Sequence, residues 1–491
     1  MGVYRQGLSA IEEDLFSEHY FVRELDNLQA DFGAQQDDCK HKYPNLLTRD
    51  QFDRFLAITK NASKVHINQT INRIQARILP KIEQGSDPLS TVLREVIGDR
   101  QFMKGPKHNV DWKDINNKVR KCLNDNIGVG CIIVGLPFKM PTVLKCVSHL
   151  PDFAEASFLL QLSEFCQVLR ELLIRHVCHH WAGFVSFHII CDGRRFNKIV
   201  GIDEKTIEAY VNGIKHWIVR YGLEQIITVD DYISVTSRCL SRKMQIRKYQ
   251  TRLQVLDIYS KCLGRKVSWI GLDEYLQMAV QDDPDPELNN EKGRFCSLFL
   301  SMLFTMRFRC IEQEATQQNC SYESLYKHCI HLVTLRFRSS RNSLVRENTI
   351  DDSIQLLDDV LTEAWCAAIE YVAEIRSDRD LDQDLIQSSF PTALRWTIHV
   401  KSGQIGLNCT RVNGIAIWPW HGVAVFKPSQ RGLKTYNCPA SMIDYGQFLP
   451  LRAIINGEEQ LLAFIHRGDH DKSISSLMEC LSSLYTRRVN G

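Results

Sequence analysis

The sequence lacks several features that would place it in a class of protein at once. No run of about 18 apolar residues occurs, so a membrane-spanning helix is not expected. No apolar segment follows the first charged residues, as a secretory signal would require. The 17 cysteines include no C-x-x-C pair, and in a chain without a signal they indicate reduced, mostly buried thiols. The protein is therefore expected to be cytoplasmic.

An excess of one charge is missing as well. The 60 Lys and Arg residues nearly cancel the 58 Asp and Glu residues, and no long basic block is present. The balance itself argues neither for nor against nucleic acid, but without a basic block neither a nucleic-acid nor a membrane partner is expected. What the 491-residue chain does have is 44% hydrophobic residues, which is enough to bury a sizeable core.

Several catalytic motifs are absent too. Neither a P-loop nor a G-x-S-x-G elbow occurs, so nucleotide hydrolysis and serine-based acyl transfer have no local support. Gly128, Gly130 and Gly135 lie within and after a predicted strand, which argues against a dinucleotide-binding loop. His176 and His180, four residues apart, leave zinc open as an alternative. No second ligand pair has metal spacing, so no metal is expected.

Predicted secondary structure and charge divide the chain into four stretches. Residues 1–125 are predicted to form a helical N-terminal region, and residues 126–239 the first part of an α/β core. Residues 240–349 are charged and helix-rich, which indicates a helical insertion. Residues 350–491 are predicted to be the second part of the core, rich in β-strands and closed by a helix.

Strands and helices alternate in the first part of the core. The segment "GVGCIIVG" is typical of a buried strand, and a helix is expected from about Asp152. The segment "FVSFHIIC" predicts a second strand ending in a turn at Asp192-Gly193, before a helix over residues 203–222. This alternation predicts a βαβ unit. The fold class is therefore α/β: a Rossmann-like mixed-sheet core with a helical N-terminal extension, a helical insertion and a β-rich C-terminal portion. Ser402-Gly403 predicts a hairpin within that last portion.

Charged and polar residues follow several predicted strands. Ligands of open α/β sheets bind beyond the carboxyl ends of the strands, so these residues are candidates for one site. Lys or Arg at such a place suits an anionic substrate such as a phosphate or carboxylate, and His can transfer protons near neutral pH. The candidates are Lys139 in "GLPFKMP", Asp192 and Arg194 in "CDGRRF", Arg395 and His399 in "LRWTIH", and Trp420 and His421 in "WPWHGV".

Taken in order, these segments resemble the pyoverdine/dityrosine biosynthesis family, the isocyanide synthases. The family pattern runs F-P-F-K-S-P-N, P-D-x-x-E, S-D-G-R-x-F, R-L-S-I-H and T-P-W-H-G-V. The segments here are "LPFKMPT", "PDFAE", "CDGRRF", "RWTIH" and "WPWHGV". Thr142 stands where the family has Asn, and this departure bears most on the substrate. Leu136, Met140 and Cys191 also differ from the pattern.

The resemblance implies an isocyanide synthase. In such an enzyme the α-amine of an L-amino acid condenses with the ketone of ribulose 5-phosphate. Loss of phosphate and carbon–carbon cleavage then leave one sugar carbon on the amine as an isocyanide, without a metal or redox cofactor. A downstream oxygenase that uses iron and 2-oxoglutarate is a candidate partner. Two alternatives stay open: N-formylation of tyrosine, as in dityrosine biosynthesis, and a non-catalytic binding protein on the same fold.

The resemblance also carries site positions onto this chain, while residue type suggests their roles. Lys139 is expected to be exposed in the pocket, where it holds or polarises an anionic substrate. The proton-transfer groups are expected to be carboxylates and imidazoles. The full set is Lys139, Glu155, Asp192, His399 and His421 for catalysis, and Arg194, Arg395, Thr142, Trp420 and Phe138 for substrate binding.

Overall fold

The structure is a computed structural model that describes most of the chain beyond residue 45. Within that part, no helix combines the length and the apolar character needed to cross a membrane. The final helix, predicted at residues 473–488, and the loop predicted at residues 281–293 lie outside the described residues. Those described are 46–140, 146–262, 298–299, 301–342, 354–379, 381, 384–398, 403–408, 411–412, 415–416, 418–429, 432–440, 443, 446–455 and 457–466.

The described N-terminal part is mainly helical, as predicted. Asp87 accepts a hydrogen bond from the backbone N–H of Ser90 (2.8 Å) and caps the second helix. Pro80 was expected to kink or end the first helix, and it lies in the last turn, three residues before the end at Glu83. The elements are β1 (Leu46–Leu47), α1 (Arg49–Glu83), α2 (Pro88–Ile97) and α3 (Trp112–Asn124).

The middle part confirms the predicted alternation of strands and helices. Asp152 and Asp203 cap two long helices by accepting backbone hydrogen bonds, and Gly222, with φ of 67°, ends the second of them. The elements are β2 (Val129–Val134), α4 (Phe153–His176), β3 (Val185–Cys191), α5 (Gly193–Val200), α6 (Glu204–Tyr221), β4 (Ile227–Asp231), α7 (Tyr232–Ser237) and α8 (Arg242–Cys262).

The turn predicted at Asp192-Gly193 is wrong, because these residues begin a helix. Asp192 occupies the N-cap position of α5, and Gly193 is its first residue. The chain after β2 crosses this point so closely that a Cβ on Gly193 would lie 2.1 Å from the carbonyl oxygen of Pro137. Glycine is therefore required here by close approach of two backbones.

The remaining part contains further helices and then short strands. The predicted hairpin at Ser402-Gly403 is wrong, since the strands on either side pair in parallel, with Trp396 opposite Ile405. Both of these side chains are buried in the same core, so packing decides the pairing. The elements are α9 (Arg309–Gln317), α10 (Tyr322–Asn342), α11 (Ile354–Arg379), α12 (Leu385–Ser389), β5 (Leu394–Thr397), β6 (Ile405–Gly406), β7 (Arg411–Val412), β8 (Ile415–Ala416), β9 (Val423–Ser429), β10 (Gly432–Cys438), β11 (Phe448–Ile455) and β12 (Glu458–His466).

Two five-stranded sheets organise these elements. The first has the order β4-β3-β2-β5-β6 and is parallel throughout, and the second has the mixed order β1-β11-β12-β9-β10. The main hydrophobic core joins both sheets to α1 and α4, while a second core packs α8 to α11 against α5. These features confirm the predicted α/β fold class. The predicted boundaries at residues 125, 239 and 349 stay predictions.

Candidate active site

Lys139 lies in a buried ion cluster immediately after β2. Its Nζ is 3.1 Å from Oδ2 of Asp152 and 2.9 Å from Oε2 of Glu155. The same ammonium donates to the carbonyl oxygens of Pro419 (3.0 Å) and Gly422 (2.7 Å). Four oxygens therefore surround a group that has three hydrogens. The expectation that Lys139 is exposed is wrong, because the residue is only 2% exposed and its partners are supplied by the protein.

Burial raises the pKa of both carboxyl groups in this cluster, Asp152 and Glu155. Burial raises the pKa of Glu155 to about 8, against the opposing effect of Lys139, and the neighbouring Asp152 raises it further. Burial would lower the pKa of Lys139, but the two carboxylates raise it instead. The cluster therefore favours an additional proton on its pair of carboxyl groups. Tyr210 closes this side by donating to Oε1 of Glu155 (3.2 Å).

The carbonyl groups that bind Lys139 belong to a single 3-10 turn, Pro419–His421, and the glycine after it. The backbone N–H of Met140 donates to the carbonyl of Trp420 (3.0 Å), which adds a third link between the two segments. Gly422 is fixed in turn, since a Cβ there would lie 2.5 Å from the carbonyl oxygen of Cys438. The turn that carries His421 is thus fastened to the end of β2.

Aromatic side chains fill the space beside this turn. Trp418 and Trp420 stack at 5.3 Å, and Phe158 meets both rings edge-on. Trp420 is buried in the main core, and Phe138 is buried in the second core. His421 is half-buried, with its ring edge-on to Trp420. The predicted substrate contacts of Phe138 and Trp420 stay predictions.

A second polar group lies at the carboxyl edge of the parallel sheet, where Asp192 follows β3. Its Oδ1 is buried and has no hydrogen-bond partner among the described residues. Burial raises the pKa of this carboxyl to about 6, although Arg195 opposes the change. Asp192 is therefore a carboxyl group that exchanges a proton close to neutral pH.

Arg395 lies within β5, opposite Ile132 of β2. Its side chain is 17% exposed, and within the described part of the chain Nε and Nη1 have no hydrogen-bond partner. Among the described residues, Asp384 pairs with it, with Oδ2 3.9 Å from Nε. Burial lowers the pKa of the guanidinium despite that carboxylate. A mostly buried cation with unused N–H groups is costly unless an anion completes it.

The two consecutive arginines after Asp192 point to different places. Arg194 pairs with Glu204 (3.2 Å) and Glu208 (2.8 Å) on α6, and all three residues are partly or largely exposed. Arg195 is 10% exposed and pairs with Glu374 (3.2 Å) and Asp378 of α11. The substrate-binding role predicted for Arg194 stays a prediction, while Arg195 is the arginine whose charge lowers the pKa of Asp192.

Tyr232 was also missed by the sequence analysis. It opens α7 directly after β4, and its hydroxyl donates to Oδ2 of Asp378 (2.7 Å). The phenol lies close enough to interact electrostatically with Asp192, Arg195 and Arg395. The sequence does contain a signal for the charged residues around Asp378. Residues of one sign lie four positions apart on each of two helices: Glu370, Glu374 and Asp378 on α11, and Lys248 and Arg252 on α8.

Two predicted site residues, Thr142 and His399, lie outside the described residues. The zinc alternative gains no support, since α4 ends at His176 and His180 is therefore not on the same helix. In the described ranges, no three His, Cys, Asp or Glu side chains converge in a way that could hold a metal ion. The side chains brought together at this edge are instead acids, bases and cations.

The fold and this arrangement define an α/β protein whose titratable groups lie beyond the strand ends of a parallel sheet, as in many enzymes. Residues 119–264 match the family model described as pyoverdine/dityrosine biosynthesis protein. This range contains Lys139, Glu155 and Asp192, so the match confirms the resemblance inferred from the motifs.

Among solved structures, the chain is similar to the PvcA protein from Pseudomonas aeruginosa. The two share 16% sequence identity with a TM-score of 0.41, and the alignment covers 76% of this chain and 99% of that chain. No curated protein matches the sequence.

Proposed function

We propose that this protein is a biosynthetic enzyme of the pyoverdine/dityrosine type that converts the α-amine of an L-amino acid into an isocyanide, with ribulose 5-phosphate as the carbon donor. The observation that carries the proposal is Arg395, a mostly buried guanidinium with two nitrogens that have no hydrogen-bond partner among the described residues. A carboxylate or phosphate of a substrate would supply the missing acceptors. Both proposed substrates carry such a group.

The proton transfers need groups that change charge near neutral pH. Asp192, with a pKa of about 6, is ionised at pH 7 and can accept a proton from the attacking amine or from a sugar carbon. His421, on the turn fastened by Lys139, and His399 are the proposed partners in later transfers. In this proposal Lys139 and Glu155 do not contact the substrate but hold that turn, because their polar atoms bind other groups of the protein.

The test is a reaction of the full chain with uniformly ¹³C-labelled ribulose 5-phosphate and a pool of L-amino acids, followed by mass spectrometry under neutral conditions. An isocyanide with one labelled carbon supports the proposal. A labelled N-formyl amino acid that forms without acid treatment supports the formylating alternative. Absence of any labelled product, with the folded chain present, refutes the enzyme proposal and leaves the non-catalytic alternative.

Arg395→Met is the matched variant for this reaction. It should abolish product while the chain stays folded, because the substitution removes a buried charge that lacks a full partner. Arg175→Met serves as the control, since Arg175 pairs with Glu171 on an exposed face of α4. The cytoplasmic location expected from the sequence and the downstream oxygenase partner stay predictions.

A further inference from the structure

We propose that Arg395 and Asp384 together bind the free α-amino acid, with the guanidinium of Arg395 donating to the α-carboxylate and the carboxylate of Asp384 accepting from the α-ammonium. This assignment rests on the function proposed above, which leaves open whether Arg395 holds the carboxylate of the amino acid or the phosphate of the sugar. Asp384 decides between these two ligands. It was not among the residues predicted for the site from the sequence.

The two charges lie close together without a hydrogen bond between them. Oδ2 of Asp384 is 3.9 Å from Nε of Arg395, which is longer than a hydrogen bond. Nε and Nη1 of Arg395 are buried and have no hydrogen-bond partner among the described residues. The guanidinium therefore keeps N–H groups that a ligand carboxylate can accept from, although a carboxylate of the protein lies beside it.

Asp384 is held in place by the helix that follows it. It is the N-cap residue of α12, and its Oδ1 accepts from the backbone N–H groups of Ile386 (3.0 Å) and Gln387 (3.0 Å). One carboxylate oxygen thus fixes the side chain, while the other lies toward Arg395. The side chain is 45% exposed, so a ligand can reach it, and its oxygens together can accept more than two hydrogen bonds.

A pair of this kind is complementary to the zwitterion of an α-amino acid. The carboxylate and the ammonium of such a ligand are attached to the same carbon, so its opposite charges are as close together as those of Arg395 and Asp384. A ligand laid alongside the pair therefore gains two charge-assisted hydrogen bonds at once. The Arg395 side chain is only 17% exposed, and both contacts are stronger there than they would be in water.

A sugar phosphate suits the same pair less well. A phosphate monoester carries about −1.5 to −2 charges at pH 7, so the Asp384 carboxylate would repel it. The single guanidinium of Arg395 does not neutralise both anions. Arg195, at the same edge of the sheet, is already paired with Glu374 and Asp378. The zwitterion, in contrast, adds no net charge to the site.

The chain offers a variant for each charge. Asp384→Asn removes the negative charge but keeps the cap of α12, because Asn is as good an N-cap residue as Asp. Arg395→Met removes the guanidinium and keeps much of the length of the side chain. Arg175→Met is again the control. Melting temperatures of all four full-length chains show whether each variant is folded before binding is measured.

The experiment titrates the full-length wild type with the common L-amino acids, one at a time and without sugar, by isothermal titration calorimetry. The tightest binder is then compared with its decarboxylated amine and its deaminated acid, each of which lacks one charge. Arg395→Met should weaken the amino acid and the deaminated acid by about tenfold or more, and the amine by less than about twofold. Asp384→Asn should weaken the amino acid and the amine, and should leave the deaminated acid unchanged or bound more tightly, because the repulsion is gone.

Three results would overturn the assignment: no amino acid binds the wild type, either variant weakens all three ligands equally, or Arg395→Met weakens ribulose 5-phosphate more than the amino acid. A purely structural pair would lower the melting temperature in both variants without any preference among the ligands. Labelled product without this binding pattern would refute the role of the pair but not the proposed function. The binding pattern without labelled product would refute the function, and the amino-acid site would stand.

Discussion

Replacement of each carboxylate beside Lys139 by its amide should separate the two by their protonation states. Glu155→Gln imitates the protonated form that a raised pKa favours, and the Tyr210 hydroxyl at Oε1 can accept from the new amide N–H, so its cost should be about 1 kcal/mol or less. Asp152→Asn is different, because neither donor at its two oxygens can become an acceptor: Ala154 N–H at 2.6 Å and Lys139 Nζ at 3.1 Å. An amide places N–H groups against one of them and weakens a buried ion pair, at a cost of about 3 kcal/mol.

The pH dependence of Glu155→Gln gives a further test. In the folded protein Glu155 has a pKa of about 8, above its usual 4.5, so the folded state binds more protons between these values. The stability that the folded state gains from this proton binding at Glu155 is fully present below about pH 4.5 and is lost as the pH rises through about 8. As the pH rises from about 4.5 to about 8, the free energy of unfolding of the wild type should therefore fall relative to that of Glu155→Gln, by up to about 1.4 kcal/mol per pH unit.

The assay is urea unfolding followed by tryptophan fluorescence, since Trp418 and Trp420 are buried beside the cluster. The two amide variants should be compared at about pH 5, 7 and 8.5. The reasoning is refuted when both variants lose equal stability at pH 7. It is also refuted when the difference between the wild type and Glu155→Gln does not change with pH.

Three other substitutions have defined outcomes. Lys139→Met leaves two buried carboxylates and two carbonyls without their cation, and should lower the free energy of unfolding by about 3–5 kcal/mol, measurable in the same urea assay. Gly193→Ala places a Cβ 2.1 Å from the carbonyl oxygen of Pro137 and should cost about 2 kcal/mol or more. Gly403→Ala is the comparison, because a Cβ there meets nothing within 4 Å and its cost comes only from backbone strain at a positive φ. Arg395→Met should abolish product formation with an unchanged or raised melting temperature, and a lowered one would show that this guanidinium is structural.

The sequence was informative where one periodicity dominates. The segment around Ile132 and Ile133 is apolar, β-branched and bounded by glycines, and it forms the central strand of a parallel sheet. The helix start at Asp152 was readable for the same reason, since a side-chain acceptor before an apolar helix has few other uses. Local chemistry of this kind does not depend on distant parts of the chain.

The site was harder to predict because its geometry depends on contacts between distant residues. Lys139 follows a strand as an exposed pocket lysine would. The sequence around it does not reveal the two carbonyl groups that accept its hydrogen bonds, which lie about 280 residues further along the chain. Arg194 and Arg195 differ only in which face of a short helix they occupy, and the predicted turn at Asp192-Gly193 hid that helix. The Ser402-Gly403 pattern is ordinary turn chemistry, but burial of Trp396 and Ile405 determined the pairing of their strands.

The fastening of Lys139 to Pro419 and Gly422 has a consequence for how the protein is made. During synthesis the lysine and its two carboxylates are translated long before those carbonyls. Strand β2 is likewise translated long before β5, its neighbour in the sheet. The first half of the core must therefore remain incomplete until most of the chain has been translated, with an open sheet edge exposed in the meantime. A fragment limited to residues 119–264 would keep that open edge permanently, so it should aggregate instead of folding as an independent unit.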